Sequence, residues 1–465
     1  MKKLKKILKN KYFIFFIAFT LMFVFLIPNK DLTNGSGDAI ETVKIIETFF
    51  SKTKYISYVM YKGIYAFIPG VISYNLGKFM SINWFWILKI INSLGFAYIS
   101  AIGLPYTVEF LINKKLTVFQ KYGFIFIYFI LEGCYFNFIS VDYMSFAIML
   151  LCINSIIKLI TNHENYISRI IFTGAILGVC SCLSGQYLPS AIVLTIYCCF
   201  IIFKKQKINL MKSQKYLLLI LFIASFMGTK MVDKIYQMKV IEPARKAGYW
   251  LPNGEEWLLT GFTSNMLTIN YPKSVSDNLG KSIILNENLD EKIISQGAAI
   301  YNKEGIIKTV LKYPLIFIVR WSERLFLGVM NDNLNLYPSS IIKFKTIYLN
   351  IIMGTFIYLS LLVFKENNKK IKDIFSFQTL ILIAFLLSAL VPSIGHVENR
   401  YYMAIRGLFI ICAMTKFHFK KNKINLKTKI NYNILVYPIF IILILLLYAA
   451  IYQSIGPQLD LIYEF

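Results

Sequence analysis

Charge is scarce in this sequence, and acidic charge is the scarcest. Only 16% of its 465 residues are charged, with 24 Asp and Glu against 50 Lys and Arg. A soluble globular domain carries about 25% charged residues, so this chain cannot clothe a water-facing surface. Cysteine is sparse as well: the seven, at 134, 152, 180, 182, 198, 199 and 412, lie in or beside apolar runs, and none falls in the long polar segments. That excludes a disulfide framework, and no Cys/His spacing matches a zinc site. Glycine-rich phosphate loops are missing too: neither GxGxxG nor GxxxxGK followed by Ser or Thr occurs, which argues against a nucleotide ligand and against ATP-driven transport. Arginine is used six times against 44 lysines, and there is no internal repeat.

What is abundant is apolar sequence. The hydrophobic set makes up 57% of the chain, aromatics 16%, and the mean hydropathy is +0.58. A bilayer core about 30 Å thick takes about 20 apolar residues to cross as helix. Spans are expected at 12–28, 84–112, 122–139, 142–161, 169–184, 187–203, 216–232, 346–364, 375–393, 401–416 and 434–452. The 169–203 stretch reads either as two short spans hinged at Ser184-Gly185-Gln186 or as one irregular span. The fold class is therefore an all-α polytopic membrane protein with about 11 transmembrane helices and two large extracytoplasmic loops carrying interfacial helices.

The net charge of +26 would suggest nucleic acid in a soluble protein, but here the excess sits in short loops between apolar runs. Loops 113–121, 204–215, 365–373 and 416–430 are strongly basic and all fall on the side of the N-terminus when eleven spans alternate. The positive-inside rule places that side in the cytoplasm, with the C-terminus extracytoplasmic. The opening MKKLKKILKNK and its apolar run mimic a signal peptide, but LIPNKDL offers no small-residue cleavage site, so it reads as a retained first span. The expected location is a bacterial plasma membrane. Three units follow: an N-terminal membrane module, 1–232, with its first outer loop at 29–83; a large extracytoplasmic loop, 233–345; and C-terminal membrane helices, 346–465.

In the first outer loop, Asn34-Gly35-Ser36-Gly37 precedes a helical stretch, 38–50, with Ser36 or Asp38 as its cap. The segment YKGIYAFIPGVISYNLGKF, 61–79, is apolar and aromatic but broken by Gly63, Pro69 and Gly70, and reads as a helix lying along the membrane interface. In the second loop 233–312 is the most soluble-looking part of the chain, and 313–329 reads as interfacial or re-entrant.

Ionisable residues beside spans are costly to bury and usually serve function. Asp38 and Glu41 open the first outer helix; a carboxylate there can act as a general base, or simply favour the helix dipole. Lys62 suits an anionic phosphate, or snorkels. Asp142 can orient a substrate, or cap its span. The run PSIGHVENRYYMAIRGLF, 392–409, is the most specific, gathering His396, Glu398, Arg400 and Tyr401 at one span mouth, with Arg406 inside the span and Glu132 as its conceivable partner. Arg320 and Arg324 join Arg400 and Arg406 in two outer-face segments. In a chain that defaults to Lys, the five-donor guanidinium there points to phosphate or carboxylate contacts.

In these features the chain resembles the GT-C superfamily of membrane glycosyltransferases. That family has an acidic residue directly after span one, as Asp38 is here. It has a Lys-Pro-Pro-like interfacial segment, to which Lys62 and its neighbours correspond, with Gly63 where a proline is expected. It also has a Glu-x-Arg-Tyr element near the C-terminal spans, matched by Glu398-Asn399-Arg400-Tyr401. Met403-Ala404 stands where Leu-Pro is usual, and the layout agrees over residues 1–416. The resemblance implies an inverting transfer of a sugar from a polyprenyl-phosphate donor to a glycan, lipid or protein acceptor at the outer face, among membrane lipids and without nucleic acid. It implies Asp38 as base, Glu41 beside it, and Lys62, His396, Arg400 and Tyr401 on the donor phosphate. Asp142, Arg320, Arg324 and Glu398 would orient substrate. No cofactor is certain; a divalent metal could be held by Asp38, Asp142 and His396. The alternatives are a surface-polysaccharide polymerase or ligase, a lipid-linked sugar transporter or flippase, and a membrane scaffold.

Overall fold

A computed structural model describes residues 7, 9–33, 37–51, 54–137, 139, 141–162, 165–204, 211–248, 311, 314–330, 343–367, 376–394, 399–420, 423–426 and 436–450. In chain order the helices are α1 (Lys11–Leu26), α2 (Gly37–Thr48), α3 (Ile68–Met80), α4 (Trp84–Ala97), α5 (Leu104–Ile112), α6 (Val118–Glu132), α7 (Asp142–Thr161) and α8 (Tyr166–Leu183). They continue with α9 (Leu188–Lys204), α10 (Lys212–Tyr236), α11 (Glu242–Lys246), α12 (Pro314–Met330), α13 (Lys343–Glu366), α14 (Phe377–Ile394), α15 (Met403–Met414) and α16 (Val436–Ala450). One antiparallel hairpin, β1 (Phe417–Lys420) and β2 (Lys423–Leu426), follows α15.

Among the described residues, seven stretches are long and apolar enough to cross a membrane: Trp84–Ile112, α7, α8, Gly185–Phe203, Lys212–Lys246, Ile347–Glu366 and α14. The chain is a multi-pass, helical membrane protein. The other predicted spans hold shorter helices: α1 has 16 residues, α6 has 15 and α15 has 12, and α16 is short as well. Length alone therefore does not yield eleven. Helix α6 stops at Glu132 instead of running to 139, and α15 begins only after the 3-10 turn that carries Arg400.

Local sequence explains several boundaries. Asn10 caps α1 by accepting from the Tyr12 amide, Asn83 caps α4 by accepting from that of Phe85, and Thr117 with Gln120 forms a capping box on α6. Trp84–Ile112 is continuous through a π turn, Tyr98–Gly103, just before Pro105, whose missing N–H disturbs the regular ladder. The 169–203 stretch is two helices joined by the turn Gly185–Tyr187. Helix α10 does not end at 232: it continues through a π turn, Gln237–Ile241, into α11, the irregular turn again falling just before a proline, Pro243.

Close packing relies on small residues where helices meet. On α8, a Cβ added at Gly178 would lie 1.9 Å from Thr229 Oγ1 and 2.6 Å from the Phe226 carbonyl of α10. Three of the basic loops meet at one end: Gln120 donates to the Thr415 and Phe417 carbonyls at 3.1 Å, Lys416 pairs with Glu366, and Lys121 with Glu109 at 2.9 Å.

The strongest polar contact in the interior is the one anticipated from sequence. Arg406 grips Glu132 through two bonds, Nε to Oε1 and Nη2 to Oε2, both 2.6 Å, and both side chains are fully buried. Its Nη1 donates to the Gly328 carbonyl at 2.6 Å, so one guanidinium ties α15 to α6 and α12. Removing one partner of a buried pair strands the other charge and costs about 3–5 kcal/mol. Glu132→Ala is therefore expected to lower the thermal unfolding temperature sharply in detergent, and the Glu132→Leu, Arg406→Met double variant to recover part of that loss. Additive losses would show that the two side chains act independently.

Candidate active site

Four charged side chains from separate parts of the chain meet. Asp38 lies in the first turn of α2, Lys62 ends a 3-10 turn (Tyr58–Lys62), Asp142 begins α7, and Arg400 lies in the 3-10 turn Asn399–Tyr402. Lys62 Nζ is 2.9 Å from Asp38 Oδ2, Arg400 Nη2 is 3.8 Å from the same oxygen, and Arg400 Nε is 3.1 Å from Asp142 Oδ2. Arg400 is 4% exposed and Asp142 9%. The Asp38 and Lys62 side chains are more open, at 25% and 16%. The cluster thus has a buried floor, Arg400 with Asp142, and an accessible rim, Lys62 with Asp38.

Each member is held by its surroundings. The chain leaving α1 is stitched to the segment before Asp142: Asn29 donates to the Asn137 carbonyl at 2.9 Å, and the Ile139 amide to the Leu32 carbonyl at 2.9 Å. As the first residue of α7 and the second of α2, Asp142 and Asp38 sit where a carboxylate favours the helix dipole. Gly63, directly after Lys62, has φ +80°, a conformation proline cannot adopt and glycine adopts without strain. The Arg400 turn is held by Gln186, which donates to the Tyr401 carbonyl and, at 2.8 Å, to that of Ser388. Tyr402 reaches Ser393 Oγ at 3.0 Å, and its ring lies so close to Gly328 that a Cβ there would approach within 2.2 Å.

The other sequence candidates divide. Tyr401 lies under the Arg400 guanidinium, 5.5 Å from carbon to ring centroid. Arg324 is buried and donates to the Ile394 carbonyl at 2.8 Å, holding the end of α14. Glu41 pairs with Lys44 at 3.1 Å, and among the described residues no ion pair links it to Lys62, Arg400 or Asp142. Burial works to raise the Glu41 pKa, but the polar neighbours Ser57 and Tyr55 and the paired Lys44 ammonium prevail and hold the carboxyl below its ordinary value. His396, Glu398 and the Arg320 side chain lie outside the described residues. Two supports were hidden from sequence reading: Gln186 looked like part of a hinge, and Gly63 like a missing proline. A polar residue next to a break between apolar helices was the available signal.

Two carboxylates and two cations sum to zero, which is how so much charge tolerates partial burial. Arg400 lies between the two carboxylates, and among the described residues no group of three or more His, Cys, Asp or Glu converges; His396, the third residue of the metal expectation, lies outside them. What the cluster can do is receive an anion at the rim and hand a proton to a carboxylate.

No family profile matches the chain, and no curated protein does. Among solved structures, the chain is similar to the archaeal oligosaccharyltransferase AglB from Archaeoglobus fulgidus, in complex with an inhibitory peptide and a dolichol-phosphate, at a TM-score of 0.41 and 13% identity. The alignment covers 96% of this chain and 56% of that one, so the chain spans little more than half of AglB's length. At this similarity neither a family nor a residue correspondence follows.

Floor and rim should respond differently to substitution. Arg400→Ala strands the buried Asp142 and is expected to cost at least about 3 kcal/mol of stability. Lys62→Ala opens a partly solvated pair and should cost about 1 kcal/mol or less. Thermal unfolding of the two variants side by side checks this, and equal losses would contradict it.

Proposed function

We propose that the protein is a membrane-embedded glycosyltransferase of GT-C type that moves a sugar from a polyprenyl-phosphate donor to an acceptor at the outer membrane face, with inversion at the anomeric carbon. The observation that carries this reading is the meeting of Asp38, Lys62, Asp142 and Arg400. Eleven spans, a cytoplasmic N-terminus and an outer-face site belong to the same proposal, as does an acceptor that is a glycan, a lipid or a protein of the cell surface.

The chemistry follows from charge. A lipid phosphodiester brings one negative charge to the rim, and departure of the sugar leaves a second on the phosphate. Lys62 exchanges Asp38 for the arriving phosphate, while Arg400, fixed by Asp142, presents its guanidinium from the floor. Preorganised cations aimed at charge that develops in the transition state give the largest catalytic contribution in most enzymes. The exchange also releases Asp38. Its carboxylate accepts the proton of the acceptor hydroxyl or amine as that atom attacks the anomeric carbon. The carbon–oxygen bond to phosphate breaks with its electron pair going to the phosphate oxygen. Single displacement inverts the configuration. Asp38 is the base in this scheme; Glu41, engaged by Lys44, is not.

The assay is transfer from radiolabelled polyprenyl-phosphate sugars by purified protein in vesicles. Asp38→Asn is expected to lower transfer about 100-fold or more, the range a general base contributes, with expression, membrane insertion and thermal stability close to wild type. Unchanged transfer would reduce Asp38 to a helix-dipole residue and sink the mechanism. Movement of labelled lipid between leaflets without chemical change would identify a transporter instead.

A further inference from the structure

Lys62 is aimed by a residue that lies far from it in sequence. Directly after Lys62 the chain turns at Gly63 and enters a second 3-10 turn, Ile64–Ala66. Two hydrogen bonds clamp this corner to α10. The Ile64 amide donates to Asp233 Oδ1 at 2.9 Å and the Tyr65 hydroxyl donates to the Thr229 carbonyl at 2.6 Å; the fit is so close that a Cβ at Gly63 would lie 2.6 Å from Asp233 Oδ1 and 3.2 Å from the Cys182 carbonyl of α8. The carboxylate is partly buried and belongs to the stretch Lys212–Lys246, the longest apolar one among the described residues. A backbone amide bound to a carboxylate makes a short, strong contact. Here it sits two residues from the lysine that pairs with Asp38.

We infer that Asp233 is a positioning residue: by holding the Gly63–Ile64 corner against α10 it sets where the Lys62 ammonium stands relative to Asp38 and to an incoming phosphate. The inference rests on the proposed transfer reaction for its consequence, but not for its geometry. Asp233 touches neither the acceptor nor the phosphate; it acts through the backbone of Lys62. A misplacement of about 1 Å at a reacting site costs up to about 100-fold in rate.

Three variants test it in the full-length protein in vesicles: Asp233→Ala, Asp233→Asn, and exposed Lys234→Ala as control. Two measurements need no activity. Hydrogen exchange of the Ile64 amide should quicken in Asp233→Ala and stay near wild type in Asp233→Asn, which keeps an acceptor oxygen. Acylation of the Lys62 amine by a soluble amine reagent should quicken in Asp233→Ala, because the ammonium is no longer held on Asp38. A third measurement is transfer: Asp233→Ala should lower kcat/KM for the donor about 10-fold or more while Asp233→Asn keeps most of it, and adding Asp233→Ala to Lys62→Ala should bring no further loss. Ile64 exchange or Lys62 labelling unchanged in Asp233→Ala overturns the proposal, as do additive losses in the double variant. If the wild type transfers no sugar from any donor, the reaction assignment fails while exchange and labelling still decide the clamp.

Discussion

The arrangement depends on one buried guanidinium. Arg400 cannot lie at 4% exposure in a helical membrane protein without anionic partners, and it has Asp142 at 3.1 Å and Asp38 at 3.8 Å. Burying an isolated ion in a low-dielectric interior is prohibitive, so the position of Arg400 determines where the carboxylates must be. The start of α7, the first turn of α2 and the Asn399–Tyr402 turn are all held to that point. Lys62 then completes neutrality from the more open side.

The scaffold makes that point rigid. Arg406, six residues beyond Arg400, locks α15 to α6 through Glu132 and to α12 through the Gly328 carbonyl. Gly328 in turn packs on the ring of Tyr402, and Arg324 on the same helix holds the end of α14. One face of α12 therefore supports both ends of the segment that presents Arg400. Of the arginines read from sequence as phosphate or carboxylate contacts, Arg406 holds the Glu132 carboxylate and Arg324 a backbone carbonyl, and both serve this support. Arginine suits both tasks for the same reason: a planar fork of donors satisfies carboxylates and carbonyls that Lys would leave unmet.

The legible part of the structure was the part governed by hydropathy and charge. Apolar runs revealed a multi-pass helical protein but not its number of spans, the break at Ser184-Gly185-Gln186 left 169–203 open between two helices and one, and Glu132 stood out as a conceivable partner for Arg406 because both charges lie in apolar surroundings. Asp38, Lys62, Asp142 and Arg400 were each visible as ionisable residues beside spans, yet local reading left each divided between cap, snorkel and site, because each role uses the same residue type at the same place. Their convergence is a fact of tertiary structure. The end of α6 at the buried Glu132 escaped a hydropathy window, which averages one carboxylate into fifteen apolar neighbours. So did the run of α10 past 232, where polar residues suggested a loop although nothing in MVDKIYQMK forbids a helix.

The central claim is that this neutral cluster exists to exchange an internal ion pair for a lipid phosphate. The most direct measurement offers the wild-type protein, reconstituted in vesicles, a panel of polyprenyl-phosphate sugars of known anomeric configuration together with candidate acceptors. The account predicts that one donor is consumed, that polyprenyl phosphate is released in equal amount, and that the sugar appears on the acceptor with inverted configuration. Release with retained configuration, or a panel left wholly intact beside acceptors that a known transferase glycosylates under the same conditions, would contradict it.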